Sequence, residues 1–537
     1  MKALTVGATV IAFMVTIPIL NVVGSLFVSA DEGIWAHLIQ TVLPRYVTNS
    51  TALVIGVGSL ACLLGVPAAW FTAVCEFRYR RLFVWMLPLP LAMPAYIVAY
   101  TYTGLLDYPG PVQSAIRNLT GWSKGEYWFP EIRSLGGAAA MLGFVLYPYV
   151  YLLARTSFLE RSMRTLEVSR TLGHGVFRSF FRLSLPLARP AIATGTALVA
   201  METLADYGTV QYFGVSTFTT GIFRTFYGLG DSTAALQLSA LLLAAVAILL
   251  FCERLSRRRA RFDANFENVP SCRIPLSNSQ TALAWLFCGT PVILGFVIPV
   301  AILLKYAAVD SEWIWGNHLR LAWNSFHLGA IAAAISVSLA IALAFAVRMS
   351  GNPVVKLAAS LSGLGYAIPG TIIALGILAP LIWVDHLLID LVELILAKNV
   401  GLIISGSIAA LLFAYTVRFL AISLGSVAAG LEKIKHNLDH SARALGRKPV
   451  EVLFRVHLPM LRNTILSALL IVFVDVIKEL PATLILRPFN FNTLAVRAYE
   501  LASDERLADA AAPSIMIVLV GIIPVIVLNR TIFRESS

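Results

Sequence analysis

The chain contains 537 residues, of which 58% are hydrophobic and only 13% are charged. This composition excludes a soluble globular protein and is typical of a polytopic membrane protein. The five cysteines form no CxxC pair and no spacing typical of a metal site, and their odd number argues against a disulfide framework.

Apolar segments long enough to cross a bilayer recur about 12 times along the chain. The hydrocarbon interior offers no water to the backbone, and period-2 alternation is absent, so we expect helices rather than strands. Prolines inside these segments are expected to bend them. The predicted spans are residues 4–29, 50–75, 82–106, 134–154, 190–212, 233–252, 283–308, 325–347, 357–384, 404–423, 463–487 and 512–530. The predicted fold class is therefore an all-α polytopic membrane protein.

The net charge of +12 is distributed unevenly along the chain. When both termini are placed in the cytoplasm, the loops on that side carry a large excess of Lys and Arg. The loops on the opposite side carry slightly more Asp and Glu. This asymmetry follows the positive-inside rule, so the basic balance indicates membrane topology rather than a nucleic-acid partner. We therefore expect both termini to lie in the cytoplasm.

A short motif occurs twice with the same internal spacing. A glycine is followed by a proline at the same distance in both copies, Gly173 by Pro186 in the first and Gly446 by Pro459 in the second. The interval from Gly173 to Gly446 is accordingly the same as that from Pro186 to Pro459. A duplicated motif that stays in register indicates an internal repeat.

The repeat extends beyond this motif. Asn49 is matched in the second half by Asn324, and Pro94 is matched by Pro369 at the same interval. About six helices in each half would give both halves the same orientation, related by an axis along the membrane normal. The predicted organisation is a first transmembrane domain at 1–252, a cytoplasmic linker at 253–282 and a second transmembrane domain at 283–537.

Each copy of the motif is predicted to form a short helix on the membrane surface that ends at its glycine. In the second copy an apolar stripe beside basic residues is formed at helical spacing by Leu431, Ile434, Leu438, Ala442 and Leu445. Glycine accepts the left-handed conformation that ends a helix. Such a helix fits a groove in a partner protein, and an interfacial helix with no partner would show the same pattern.

The duplicated motif resembles the EAA loop of ABC importer permeases, which docks on the ATPase subunit. The resemblance implies a type I importer fold and a coupling role for both loops. The candidate ATPase-coupling residues are Glu167, Ser169, Gly173, Leu185 and Pro186 in the loop at 160–190, and His440, Ser441, Ala442, Gly446, Leu458 and Pro459 in the loop at 432–463. The second copy carries His440 where the first copy keeps the family's glutamate, so the two docking contacts are expected to differ.

Four acidic residues follow the two loops inside apolar segments. Glu202 and Asp206 are one helical turn apart and would share a helix face. Asp475 and Glu479 repeat this pair at the interval that separates the two loops. Carboxylates inside a membrane are costly to bury and normally face a pathway or a partner. The candidate translocation residues are Glu202, Asp206, Tyr207, Asp475, Lys478 and Glu479.

These oxygen-bearing side chains suit a hard cation such as Fe³⁺. Transient Fe³⁺ contact is considered at Glu202, Asp206, Asp475 and Glu479, with no stable metal site, because a transported ion must also leave. The same carboxylates could instead form buried ion pairs that hold a gate between the halves. The sequence leaves both interpretations open.

Two longer stretches resemble ferric iron ABC transporter permeases. These are the stretch 201–214, which includes Glu202 and Asp206, and the stretch that begins at Lys478-Glu479-Leu480-Pro481. The resemblance implies a bacterial inner-membrane importer that receives Fe³⁺ from a periplasmic binding protein. It also implies two copies of a cytoplasmic ATPase, which would use ATP, while this chain would bind no cofactor and catalyse no reaction. No GxxxxGK[ST] motif occurs in the chain, in keeping with a separate ATPase subunit.

Other functions are compatible with parts of this pattern. Related fused permeases for thiamine and other small solutes share the architecture, so the substrate depends on the resemblance. A secondary transporter of the major-facilitator type also has two parallel six-helix halves, but its long loop lies between the halves rather than within each. A membrane-embedded enzyme is not supported, because the chain has no HExxH or nucleophile motif.

Overall fold

The computed structural model describes residues 2–29, 32–123, 125–159, 176–258, 273–309, 315–396 and 401–534. The α-helices of the first half are Lys2–Gly24, Glu32–His37, Leu43–Val74, Arg80–Met86, Ala95–Leu106, Pro111–Thr120, Leu135–Ser157, Val176–Ser179, Leu185–Ala205, Gly208–Tyr212, Phe218–Phe223 and Ser232–Arg258. Those of the second half are Asn278–Val292, Ile298–Val309, Trp315–Ser350, Pro353–Ser362, Gly370–Leu396, Ile408–Glu432, His436–Ala444, Pro449–Val452, Leu458–Lys478, Pro481–Leu486, Leu494–Ser503 and Leu507–Arg534.

Shorter elements connect these helices. Five-residue π-helical turns lie at Leu38–Val42, Phe180–Ser184, Arg224–Gly228, Ile293–Val297 and Leu453–His457. Turns of 3-10 helix lie at Ser25–Phe27, Leu89–Ala92 and Gly365–Ala367. The strands Cys75–Glu76 and Ile274–Pro275 pair in parallel.

Eleven of the described helices are long and apolar enough to cross a membrane, and one bent pair brings the number to as many as 12. This confirms the predicted all-α polytopic class. The bent pair corrects the predicted continuous span at 82–106, because Arg80–Ala92 and Ala95–Thr120 meet at 94°. Met93 is extended and is followed by Pro94. Proline has no N–H to donate and forces the preceding residue out of the helical conformation, which explains the break.

The internal repeat is visible in the backbone as well as in the sequence. The helices Leu185–Ala205 and Leu458–Lys478 both contain 21 residues, and each follows a π-helical turn. Ser134 caps the start of helix Leu135–Ser157 by accepting a hydrogen bond from a backbone N–H. Ser407, at the matching position of the repeat, caps helix Ile408–Glu432 in the same way. The two halves are therefore built from the same local devices.

The first helix of each half packs against the other half. Lys2–Gly24 lies against Gly370–Leu396, and the Asn21 side-chain amide donates to the carbonyl of Gly376 at 2.9 Å. In the reverse direction, Asn278–Val292 lies against Leu43–Val74. Each of the two hydrophobic cores consequently contains residues of both halves. The halves interlock rather than meet at one flat interface.

The predicted linker also returns to the first half. Its described end, Ile274–Pro275, pairs with Cys75–Glu76, and the Leu276 N–H donates to the Glu76 carbonyl at 3.3 Å. Nearby, the Trp285 indole donates to the Arg78 carbonyl at 3.0 Å. These contacts fix the entry to the second half against the first. The predicted domain boundaries themselves stay a prediction.

Candidate functional site

A cavity of about 150 Å³ lies where the two halves meet. All six predicted translocation residues line it, namely Glu202, Asp206, Tyr207, Asp475, Lys478 and Glu479. The structure thus brings together residues from matching positions of the two repeats, which lie far apart in the chain. Their part in transport stays a prediction, because a shared cavity does not identify its cargo.

Asp206 lies at a break between helices, which corrects the expectation that it shares a continuous helix with Glu202. Helix Leu185–Ala205 ends just before it. The Asp206 carboxylate accepts hydrogen bonds from the backbone N–H groups of Thr209 and Val210, both at 3.1 Å. A short acidic side chain competes with the helical ladder in this way and starts the next turn.

Glu479 forms the same break in the second half. Its Oε1 atom accepts a hydrogen bond from the Ala482 N–H at 3.1 Å, at the start of helix Pro481–Leu486. Its backbone carbonyl accepts from the Thr483 hydroxyl at 2.7 Å, as that of Asp206 does from Thr219 at 2.7 Å. The duplicated acidic residue therefore performs a duplicated structural task.

Two cationic side chains lie among the carboxylates. Arg418 Nη1 is 2.8 Å from Glu479 Oε2, and both side chains are less than a tenth exposed. Lys478 Nζ is 3.1 Å from Asp475 Oδ1. The same Nζ donates to the Leu91 carbonyl of the first half at 3.2 Å. The cavity is therefore crossed by ion pairs, and the contact from Lys478 to Leu91 joins the two halves.

Four carboxylates and two cationic side chains leave an excess of negative charge around the cavity. Such a site attracts cations, and its ligands are hard oxygen atoms. Within the described ranges, however, no group of three or more His, Cys, Asp or Glu side chains is arranged to hold a metal ion.

Sequence reasoning missed several residues of the cavity, among them Arg418, Tyr149 and Tyr366. Arg418 had a usable signal, because it is a charged residue inside the predicted apolar span 404–423. The tyrosines had none. Their hydroxyl groups lie 3.4 Å apart across the boundary between the halves, and this proximity exists only in the folded molecule.

Of the two predicted coupling loops, the second is described and the first only in part. Leu185 and Pro186 begin helix Leu185–Ala205, whereas Glu167, Ser169 and Gly173 lie outside the described residues. The second loop contains a short helix, His436–Ala444, followed by Gly446 with φ of 76°. It is shorter than the predicted apolar stripe, because Leu431 belongs to the preceding membrane helix Ile408–Glu432 and Ile434 lies in the turn between the two helices.

Some side chains of this second loop are buried and others are exposed. Leu431 and Ile434 of the predicted apolar stripe are buried against the protein, whereas Leu445 is 80% exposed. His440 and Ser441 are also exposed. The exposed part is accessible to a partner protein.

Asp439 joins helix His436–Ala444 to two membrane helices. Its carboxylate accepts a hydrogen bond from Arg348 Nε at 2.7 Å and lies 2.6 Å from His457 Nε2. Arg348 is at the end of Trp315–Ser350, and His457 directly precedes Leu458–Lys478. Burial raises the pKa of Asp439, but the hydrogen bonds from Arg348 and His457 outweigh it and hold the pKa below its ordinary value.

Comparison with known proteins supports the duplicated architecture. A family model described as "Binding-protein-dependent transport system inner membrane component" matches the chain twice, at residues 61–261 and 336–534. Each match contains one of the two EAA-like loops.

Several curated proteins are similar to most of the chain. The Fe(3+)-transport system permease protein FbpB 2 of Haemophilus influenzae is 26% identical over 92% of this chain and 91% of its own length. The ferric transport system permease protein FbpB of Actinobacillus pleuropneumoniae is 23% identical over 91% of this chain and 72% of its own. The molybdenum transport system permease protein ModB of Escherichia coli is 29% identical, over 40% of this chain and 96% of its own length, so it matches about one half.

Proposed function

This chain belongs to the family of binding-protein-dependent transport system inner membrane components, and on that premise we propose that it is the permease of an ATP-driven importer of ferric iron. The observation that carries the proposal is the duplicated permease domain with its duplicated acidic pair in one cavity. The multi-pass helical architecture supports a location in the bacterial inner membrane. The excess of basic residues in alternate loops favours cytoplasmic termini.

The partners follow from this assignment. A periplasmic binding protein would deliver the ion, and two copies of a cytoplasmic ATPase would dock on the two coupling loops. ATP would bind to the ATPase, so the permease would need no cofactor and catalyse no reaction. The exposed part of the second loop, with His440, Ser441 and Leu445, supports one of the two docking sites.

Ferric iron is favoured over an oxyanion by the charge of the cavity. The half-length relative is named for molybdenum transport, whereas the relatives that match along most of the chain are named for ferric transport. A cavity lined by Glu202, Asp206, Asp475 and Glu479 repels an anion and attracts a trivalent cation. We therefore assign the pathway to the cation.

Transport would proceed by a change in the arrangement of the two halves. ATP binding in the partner moves the coupling helix, and the Asp439 contacts pass this motion to helices Trp315–Ser350 and Leu458–Lys478. The cavity would then open alternately to the two sides of the membrane. The ion must bind weakly enough to leave on the inner side.

The test is uptake of radiolabelled ferric iron, thiamine and molybdate by cells that lack the gene and then regain it. We expect iron uptake to return only when a functional ATPase partner is present. Thiamine or molybdate uptake in place of iron would retain the permease and overturn the substrate. Uptake of any of them without the ATPase would contradict the ABC assignment and favour a secondary transporter.

A further inference from the structure

Three of the four carboxylates of the central cavity are already engaged by groups of the chain itself. Glu479 is paired with Arg418, Asp475 is paired with Lys478, and the Asp206 carboxylate accepts backbone hydrogen bonds. An incoming cation therefore does not find these three carboxylates free. It must replace an existing partner of each of them.

The two internal cations come from the second half alone. At the interval that relates Gly173 to Gly446, Arg418 is matched with Val145 and Lys478 with Ala205. The acidic residues are duplicated in both halves, whereas the basic residues are not. Loss of the charges of Arg418 and Lys478 would make the second half more like the first. These two residues are therefore the ones to substitute in a test.

The two ion pairs differ in how easily they can open. The side chains of Arg418 and Glu479 are 9% and 5% exposed, whereas those of Lys478 and Asp475 are 22% and 25% exposed. Lysine carries its charge on a flexible stem, and arginine holds a planar fork. Lys478 is therefore the more mobile of the two counter-ions.

The contacts of Lys478 also depend on how the two halves are arranged. Its ammonium group donates to the Leu91 carbonyl at 3.2 Å, and Leu91 belongs to the first half. A movement that separates Leu91 from Lys478 would remove one of the contacts that hold the ammonium beside Asp475. The strength of the internal pair would thus change with the conformation of the transporter.

We propose that Lys478, supported by Arg418, is a built-in counter-ion that displaces the transported trivalent cation from Asp475 and Glu479. The described arrangement is then the one that releases the cation. The inference rests on the proposed function, since it assigns a release step to the same cavity. It explains how a site rich in carboxylates avoids trapping a highly charged ion.

The experiment measures binding of radiolabelled ferric iron, buffered by citrate, to the purified permease in lipid nanodiscs. Lys478→Met keeps the length of the side chain and removes its charge. We expect the dissociation constant to fall by about tenfold, within the range usual for coupled sites. Lys478→Arg should leave the affinity close to that of the unmodified protein. Lys356→Met, which removes an exposed charge on helix Pro353–Ser362, is the matched control.

A second readout separates release from folding. In proteoliposomes with the partner ATPase, Lys478→Met should lower both the apparent KM for iron and the maximal rate, because tighter binding slows release. Arg418→Gln provides a second variant if Lys478→Met fails to fold.

Unchanged affinity in folded Lys478→Met or Arg418→Gln protein would overturn the counter-ion proposal. Affinity that rises equally in Lys356→Met would do the same, since any lost charge would then suffice. The binding measurement does not depend on transport. Absence of iron uptake by the unmodified protein would instead contradict the proposed function, so the two failures are distinguishable.

Discussion

Asp206 and Glu479 combine two tasks at the level of the single residue. Each ends a membrane helix and accepts hydrogen bonds from the turn that follows, and each also faces the central cavity. The capping hydrogen bonds fix where the carboxylate lies. Burial of a charge in a membrane protein is costly, and these local donors offset part of that cost.

Loss of charge at the second acidic pair tests the pathway. Asp475→Asn combined with Glu479→Gln keeps the size of both side chains and removes both charges. We expect iron uptake to fall by about tenfold or more. The loss of about 1.4 kcal/mol of interaction energy between the ion and these carboxylates already corresponds to a factor of ten. The ATPase subunit should still copurify with the permease.

Asp385→Asn is the control for this double variant. Asp385 is fully buried, and its carboxylate accepts hydrogen bonds from the N–H groups of Ile403, Ile404 and Ser405, away from the cavity lining. A loss of uptake confined to the double variant would support the pathway. Normal iron flux through the double variant would exclude these carboxylates from it.

The backbone conformation of Gly446 restricts which residues can replace it. Its φ of 76° lies in the left-handed region, which proline cannot enter because its ring fixes φ near about −65°. Gly446→Pro should leave membrane insertion intact and abolish ATP-dependent transport. Gly446→Asn should retain most of the transport, because asparagine tolerates this conformation. Undiminished uptake by the proline variant would remove the docking assignment of this loop.

Helix His436–Ala444, the proposed coupling helix, is anchored to two membrane helices. His436–Ala444 is held through Asp439 to Arg348 and His457, and Arg348 also donates to the carbonyls of Leu431 and Ile434. The matching position to His457 in the first half is Ser184. The first half therefore has no histidine at this position of the repeat.

Asp439→Asn tests this anchoring. It leaves the buried guanidinium of Arg348 without its ion-pair partner, a change that typically costs about 3–5 kcal/mol. We expect the ATPase to remain bound and active, while the amount of iron transported per ATP falls by about tenfold. The measurement is parallel assay of ATP hydrolysis and iron uptake in proteoliposomes.

Glu451→Gln is the matched control for Asp439→Asn. The pair between Glu451 and Arg447 lies nearby, with side chains 40% and 51% exposed. Exposed pairs contribute about 0–1 kcal/mol, so this variant should stay coupled. An unchanged transport-to-ATP ratio in Asp439→Asn would show that the network does not transmit motion.

The whole molecule is held together by the exchange of first helices. Lys2–Gly24 and Asn278–Val292 each pack on the opposite half, and both hydrophobic cores mix residues of the two halves. Association of the halves therefore depends on buried apolar surface rather than on the connecting peptide.

Cleavage of the connection tests this dependence. A protease site inserted between residues 259 and 272 should allow the chain to be cut after insertion into the membrane. The two fragments should copurify in mild detergent and retain iron transport. Separation of the fragments in the same detergent that keeps the uncut chain folded would contradict the interlocked arrangement.

The sequence alone determined the features that depend on local pattern. Hydropathy predicted most of the membrane spans, though not the break at Met93 and Pro94, and a fixed offset predicted the repeat and the duplicated acidic pairs. Helical spacing and the glycine predicted a helix that ends before Gly446. These properties need only a residue and its neighbours along the chain. The breaks at Asp206 and Glu479 escaped prediction because capping depends on side-chain geometry that hydropathy does not report.

Only the tertiary structure decided which distant residues meet. The pairs Arg418–Glu479 and Asp439–His457 and the contact from Lys478 to Leu91 join separate helices. A charge inside an apolar span could have singled out Arg418, which the sequence analysis missed, but it could not have shown which carboxylate Arg418 approaches. The exchange of first helices could not be predicted from the sequence either. Every apolar helix surface offers similar packing energy, and only shape complementarity selects the neighbour.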